Sequence, residues 1–154
     1  MRQIVYALRF RGEARWFGTD GNLLRTVARA SGCSIRSLFD GGGLQADVRD
    51  ELGDEIHLES ELTITGATTY QEAGSVVFGQ TGDRLRFSTC GSGYLDPVSE
   101  DTARHGAAVL CIDEGDRRFA GAHGLITSHY AVDDAGVITV FHLGSIYVQD
   151  GVTL

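Results

Sequence analysis

The chain has 154 residues, 42% of them hydrophobic, and a single proline, which is enough to bury a core as one domain over 1–154 and too apolar for a disordered segment. Its 21 acidic side chains outnumber 13 basic ones for a net charge of −8, so a phosphate backbone is repelled and nucleic acid is excluded as an expected partner. Every basic residue is arginine; lysine chemistries, such as a Schiff base or a Walker-type phosphate contact, are absent by inventory.

The opening residues, MRQIVYALRF, are charged at Arg2 and Arg9, unlike the apolar stretch of a secretory leader. No window approaches the about 18 apolar residues of a membrane helix, so no membrane association is expected, and the expected location is the cytoplasm. Ile4, Tyr6, Leu8 and Phe10 alternate with polar neighbours as a first strand. Residues 22–30 fit two patterns: Leu23, Leu24, Val27 and Ala28 form a helical stripe, and the same run also continues as strand into Cys33. The spacing slightly favours a helix of one to three turns.

Strands follow at 33–39 and 44–48, separated by the turn Asp40-Gly41-Gly42-Gly43. The clearest half-buried strand is 56–64, with Ile56, Leu58, Ser60, Leu62 and Ile64 on one face and His57, Glu59, Glu61 and Thr63 on the other. Residues 75–78 and 85–89 read as a hairpin across Gln80-Thr81-Gly82-Asp83. A loop follows, in which 97–104 has the composition of a short helical turn, and then a strand at 107–112. The chain ends in two long β-type runs flanking Asp133-Asp134-Ala135-Gly136, a strong hairpin signal.

About eight strands with short turns and no intervening helices predict an all-β fold: one small antiparallel barrel rather than a parallel α/β sheet, wide enough to hold one small ligand. Three widely spaced cysteines, Cys33, Cys90 and Cys111, suggest buried thiols rather than a disulfide framework or zinc site. Both faces of the last strand are apolar, which predicts a homodimer or homotrimer covering whichever face the barrel does not bury.

The run RFAGAHG beginning at Arg118, leading into a long strand and preceded by the hairpin SVVFGQTGDRLRF, resembles the allene oxide cyclase barrel-like proteins, a group with allene oxide cyclases, dirigent proteins and bacterial polyketide cyclases. A lipocalin-like barrel is the alternative architecture. The resemblance covers about 61–148 and implies a cofactor-free pocket that clamps an apolar, unsaturated, polyketide-like or fatty-acid-like molecule and directs its rearrangement or ring closure. None of that group's catalytic residues transfers by motif. A non-catalytic small-molecule carrier is the second expectation, and a barrel filled by its own side chains the third.

Five histidines occur without H-x-H, H-x-x-H or H-E-x-x-H spacing, so no metal is expected. His123 and His129 lie six residues apart on one strand face, about 20 Å at about 3.3 Å per residue. His129 and His142 are expected to sit opposite one another across the last hairpin as a hydrogen-bonded pair. Ser92, between two glycines, lacks the strand-to-helix setting of a nucleophile elbow. Polar residues stranded among apolar neighbours remain: Glu72 and His129 as proton carriers, and Arg86, Tyr94, Thr127, Tyr130, His142 and Tyr147 as substrate contacts. His129 and Tyr130, being adjacent, can place only one of the two inside.

Overall fold

The computed structural model describes residues 1–96 and 103–149. Eight strands close into an antiparallel barrel: β1 (Arg2–Phe17), β2 (Leu23–Ala30), β5 (Ile56–Ile64), β6 (Thr69–Phe78), β7 (Asp83–Thr89), β9 (Ala103–Asp116), β10 (His123–Asp133) and β11 (Val137–Val148). The order around the wall is β10-β11-β1-β2-β5-β6-β7-β9, and β9 pairs with β10 to complete the circuit. Short strand β8 (Gly93–Leu95) bridges β9 and β6. Closure gives each wall strand a partner on both sides and removes the edges of the wall sheet.

Two assignments from sequence change. The 22–30 segment is strand, not helix: Leu24, Thr26, Ala28 and Ala30 turn inward, and its backbone pairs with β1 and β5. A helix there would leave both neighbours unpaired, so the long-range ladder overrides the local stripe. The 33–39 and 44–48 runs, counted from sequence among the wall strands, instead form a separate hairpin of β3 (Cys33–Asp40) and β4 (Gly43–Asp50) outside the barrel. The strand count survives this exchange because β2 takes a place in the wall. The short helical turn expected at 97–104 falls mostly outside the described residues.

The cysteines also differ from expectation. Cys90 and Cys111 are disulfide-bonded, with Cα atoms 5.4 Å apart, and Cys33 is free. A separation of 21 residues carries no motif; only the pairing of β7 with β9 brings the two side chains together.

Inward positions alternate along the wall strands, interrupted where the β7–β9 register shifts between Arg86 and Phe87, and build one core including Phe10, Leu58, Val76, Leu85, Phe87 and Leu110. Its aromatic rings are seated by glycine. Tyr70 pairs directly with Gly93, Tyr130 with Gly106, Tyr6 with Gly144 and Phe87 with Gly74, and a Cβ on any of these four glycines would overlap the ring opposite. The barrel thus admits large rings by removing the facing side chain.

One end of the barrel is plugged by the 3-10 turn Arg117–Phe119, whose Phe119 packs on Phe78 at 5.0 Å between ring centroids. There the buried Asp83 carboxylate accepts from the Arg118 Nε at 2.6 Å. That hydrogen bond holds Asp83 down at about pKa 2, so its contribution to stability is present above the usual carboxylate range and lost as the pH falls toward 2.

The glycine–ring fit is testable in isolation. Gly106→Ala should lower stability by about 1–3 kcal/mol through overpacking, whereas Gly41→Ala, with nothing within 4 Å of its Cβ position, should be near neutral. The double variant Gly106→Ala/Tyr130→Leu should cost less than the sum of its two single changes. Urea midpoints measure all three, and strict additivity would show that ring and glycine are not coupled.

Candidate functional site

The structure divides the eight site residues expected from sequence into two groups. Glu72, Tyr130 and His142 point into the barrel and are buried, while Arg86, Tyr94, Thr127, His129 and Tyr147 lie on its outer surface. The division follows from strand parity: neighbours such as His129 and Tyr130 take opposite faces.

Glu72 sits inward on β6, 7% exposed. The Thr89 hydroxyl spans the adjoining backbone, accepting from the Glu72 N–H at 2.7 Å and donating to its carbonyl at 3.0 Å. Among the described residues the Glu72 carboxyl has no cationic partner. Burial pushes the pKa up to about 7, opposed only in part by a hydrogen bond from Ser60, and Oε2 has no hydrogen-bond partner among the described residues. Removal from water disfavours the anion, so the group is poised to exchange a proton near neutrality.

Two phenols flank this carboxyl. Tyr70 lies two residues before Glu72 on the same strand face, and Tyr130 meets it edge to face with ring centroids 5.8 Å apart. Burial first, and then the charge of Glu72, raises both phenol pKa values. Both therefore stay protonated and able to donate; the Tyr70 hydroxyl is unpartnered among the described residues.

The cluster lies toward the end of the barrel opposite the Asp83–Arg118 plug. At that end Arg104 stacks over the Trp16 ring, 5.5 Å from its centroid, and Arg104 and Trp16 line an opening of about 410 Å³ beside the 133–136 turn.

His142 occupies the middle of the interior, 1% exposed. It packs between Phe10 and Phe87, whose ring centroids are 5.2 and 5.9 Å from its own. Neither ring nitrogen has a hydrogen-bond partner among the described residues, and burial lowers its pKa to about 3. The imidazole is neutral at any working pH and acts as one donor and one acceptor.

The expected His129–His142 pair does not form. Register places His129 opposite Phe141 and His142 opposite Ser128, a one-residue offset that sends the two rings to opposite faces. His129 instead approaches His105 on the outer surface, at 6.1 Å between ring centroids. Arg86 is held outside by Glu114 and Asp116 at 2.7 and 3.2 Å, and Tyr147 stacks on His123 at 5.5 Å. Tyr94, Thr127 and His129 do share a site, an external groove considered below. No group of three or more His, Cys, Asp or Glu side chains among the described residues is arranged to hold a metal ion, and no helix among them is long and apolar enough to cross a membrane.

Tyr70 and Ser60 were not singled out from sequence. Their signal was spacing: Tyr70 shares parity with Glu72, and Ser60 interrupts the apolar face of 56–64. No protein-family model matches the chain, and no curated protein or solved structure is significantly similar to it.

The two displaced pKa values set opposite pH slopes. Glu72, raised from 4.5 to about 7, gives stability that is fully present below pH 4.5 and lost as the pH rises through 7. His142, lowered from 6.5 to about 3, gives stability present above pH 6.5 and lost as the pH falls through 3. Glu72→Gln should therefore be more stable relative to the wild type at pH 8 than at pH 4, with the gain appearing between pH 4.5 and 7. Chemical denaturation across that range checks this; parallel curves would mean the carboxyl is not held neutral by the fold.

Proposed function

We propose that the protein is a cofactor-free isomerase or cyclase of the allene oxide cyclase barrel-like kind. In this reading Glu72 moves a proton on an apolar, unsaturated polyketide-like or fatty-acid-like molecule bound inside the barrel. The observation that carries the proposal is the Glu72 carboxyl: raised to a pKa of about 7 by burial, one oxygen unpartnered among the described residues, and two protonated phenols beside it. An unpaired buried polar group costs about 1–3 kcal/mol, and a core built only for stability gains nothing from one here.

The chemistry suits the site. A carboxyl near pKa 7 is populated in both forms at neutral pH, the optimum for general acid–base work. Ionised Glu72 removes a proton from carbon next to a carbonyl; Tyr70 and Tyr130 donate hydrogen bonds to the oxygen on which charge develops. The same carboxyl, now neutral, returns the proton at another atom, so the step balances without an external oxidant or reductant. Phe10, Phe87 and the surrounding aliphatic wall would set the fold of the bound chain, and with it the ring that closes.

Arg86, Tyr94, Thr127, His129 and Tyr147 have no part in this reading, because they lie on the other side of the wall. The Cys90–Cys111 bond favours an oxidising compartment over the cytoplasm.

The alternative reading is a carrier that binds the same class of molecule without turnover. Proton exchange separates the two. Wild-type protein incubated in D2O with unsaturated fatty acids and short β-keto thioester mimics should catalyse deuterium uptake next to the carbonyl, followed by mass spectrometry. Glu72→Gln should lower that rate about 10²-fold, Tyr70→Phe and Tyr130→Phe by less, and His129→Ala should leave it unchanged. Binding without exchange would replace the enzyme with the carrier, and neither binding nor exchange would overturn both.

A further inference from the structure

The outer surface of the barrel is divided by charge. On β2, β5 and β7 the outward positions include Arg25, Arg29, Glu59, Glu61, Arg84 and Arg86. On β11 no outward position is Arg, Asp or Glu, and the same holds for β10 over 125–131. Register aligns Ala7, Leu143, Thr127 and Val109 in a row across β1, β11, β10 and β9. Val5 and Leu125 stand one row away, both opposite Ser145. Val5 is 66% exposed, and Val109, Leu125, Leu143 and Tyr94 are exposed as well. A contiguous apolar surface on this scale marks an interaction site in a soluble protein.

The β3–β4 hairpin leaves the barrel beside this wall. Its base is tied down: Asp50 accepts from Arg9 at 2.8 Å and faces Arg11 at 3.4 Å, and the Ser34 hydroxyl donates to Glu51 at 2.8 Å. The hairpin is amphipathic with period two. Ile35, Val48, Ala46, Phe39 and Leu44 share one face by register, and Arg36, Asp47, Arg49 and Gln45 share the other. Only the base of the apolar face is seated, where Ile35 joins Tyr94, Val109, Thr127, Phe141 and Leu143 in lining a groove of about 480 Å³. At the tip, Phe39 and Leu44 are 81% and 76% exposed. A two-stranded hairpin is at best marginally stable alone, so a face that is apolar to its tip requires cover.

We propose that this wall is the interface between two copies of the chain, each placing the Phe39–Leu44 tip of its hairpin in the other's groove. The apolar finger and the apolar groove are on the same chain, so a two-fold arrangement satisfies both at once, and twice. This self-complementarity selects a second copy as the occupant, and charge selects the face on which the copies meet. Two chains of net charge −8 repel over most of their surfaces, and the uncharged wall is where identical copies meet without like charges in contact. The proposal is independent of the chemistry inside the barrel.

Sedimentation and light scattering at tens of micromolar should give wild-type protein a mass of twice 16.5 kDa. Leu143→Arg on the wall and Phe39→Ser/Leu44→Ser on the hairpin should each yield a species of 16.5 kDa with an unchanged far-UV circular dichroism spectrum. Hydrogen exchange of the wild type, compared above and below the dissociation concentration, provides a second readout that needs no variant: protection should change at 38–46, 125–129 and 141–145. A monomeric wild type, a dimer that survives either variant, a trimer, or protection changing elsewhere would each overturn the proposal.

Discussion

Closure of the sheet by the β9–β10 ladder is the constraint from which the rest of the molecule follows. Nine register pairs from Leu125–Cys111 to Asp133–Ala103 join strands that would otherwise be the two edges of an open sheet. Once they pair, every wall strand has a neighbour on both sides, and the inward positions are removed from water whatever residues occupy them. The circumference then limits interior volume, and the interior meets that limit by setting each of four aromatic rings against a glycine on the adjoining strand. The Asp83–Arg118 pair and Phe119 close one end.

Enclosure also explains the chemistry of Glu72 and His142. Among the described residues neither has an oppositely charged neighbour that would hold it ionised, so desolvation dominates both and drives each toward its neutral form, the carboxyl upward and the imidazole downward. Buried polar atoms at Tyr70, Glu72, Ser128 and His142 that lack a partner among the described residues each cost about 1–3 kcal/mol, a large share of a net stability that for such domains is typically about 5–15 kcal/mol.

The exterior obeys a different logic. Charge is placed on the part of the wall that includes β2, β5 and β7, where ion pairs such as Arg25–Glu61 form in solvent, and Arg, Asp and Glu are withheld from the outward positions of β11 and of 125–131 on β10. The hairpin β3–β4 leaves the barrel because it is not needed for closure, and its apolar face turns toward the uncharged half.

Period-two patterning in the sequence was sufficient for the all-β class, the approximate strand count, the 133–136 turn and the rule that His129 and Tyr130 cannot share a face, because alternation is a local property of an extended chain. Glu72 was legible as a polar residue among apolar ones. Tertiary structure alone decided which strands enter the wall, since 22–30 and 33–39 have similar local propensities and differ only in the partners available to them. Register, likewise, was not legible: an offset of one residue between β10 and β11 separates His129 from His142, and no local signal encodes it. The Cys90–Cys111 bond and the grouping of Tyr70, Tyr130 and Glu72 depend on contacts between residues distant in the chain. The first needs the pairing of β7 with β9, and the approach of Tyr130 on β10 to Tyr70 and Glu72 on β6 exists only after closure, which brings the two strands around one interior.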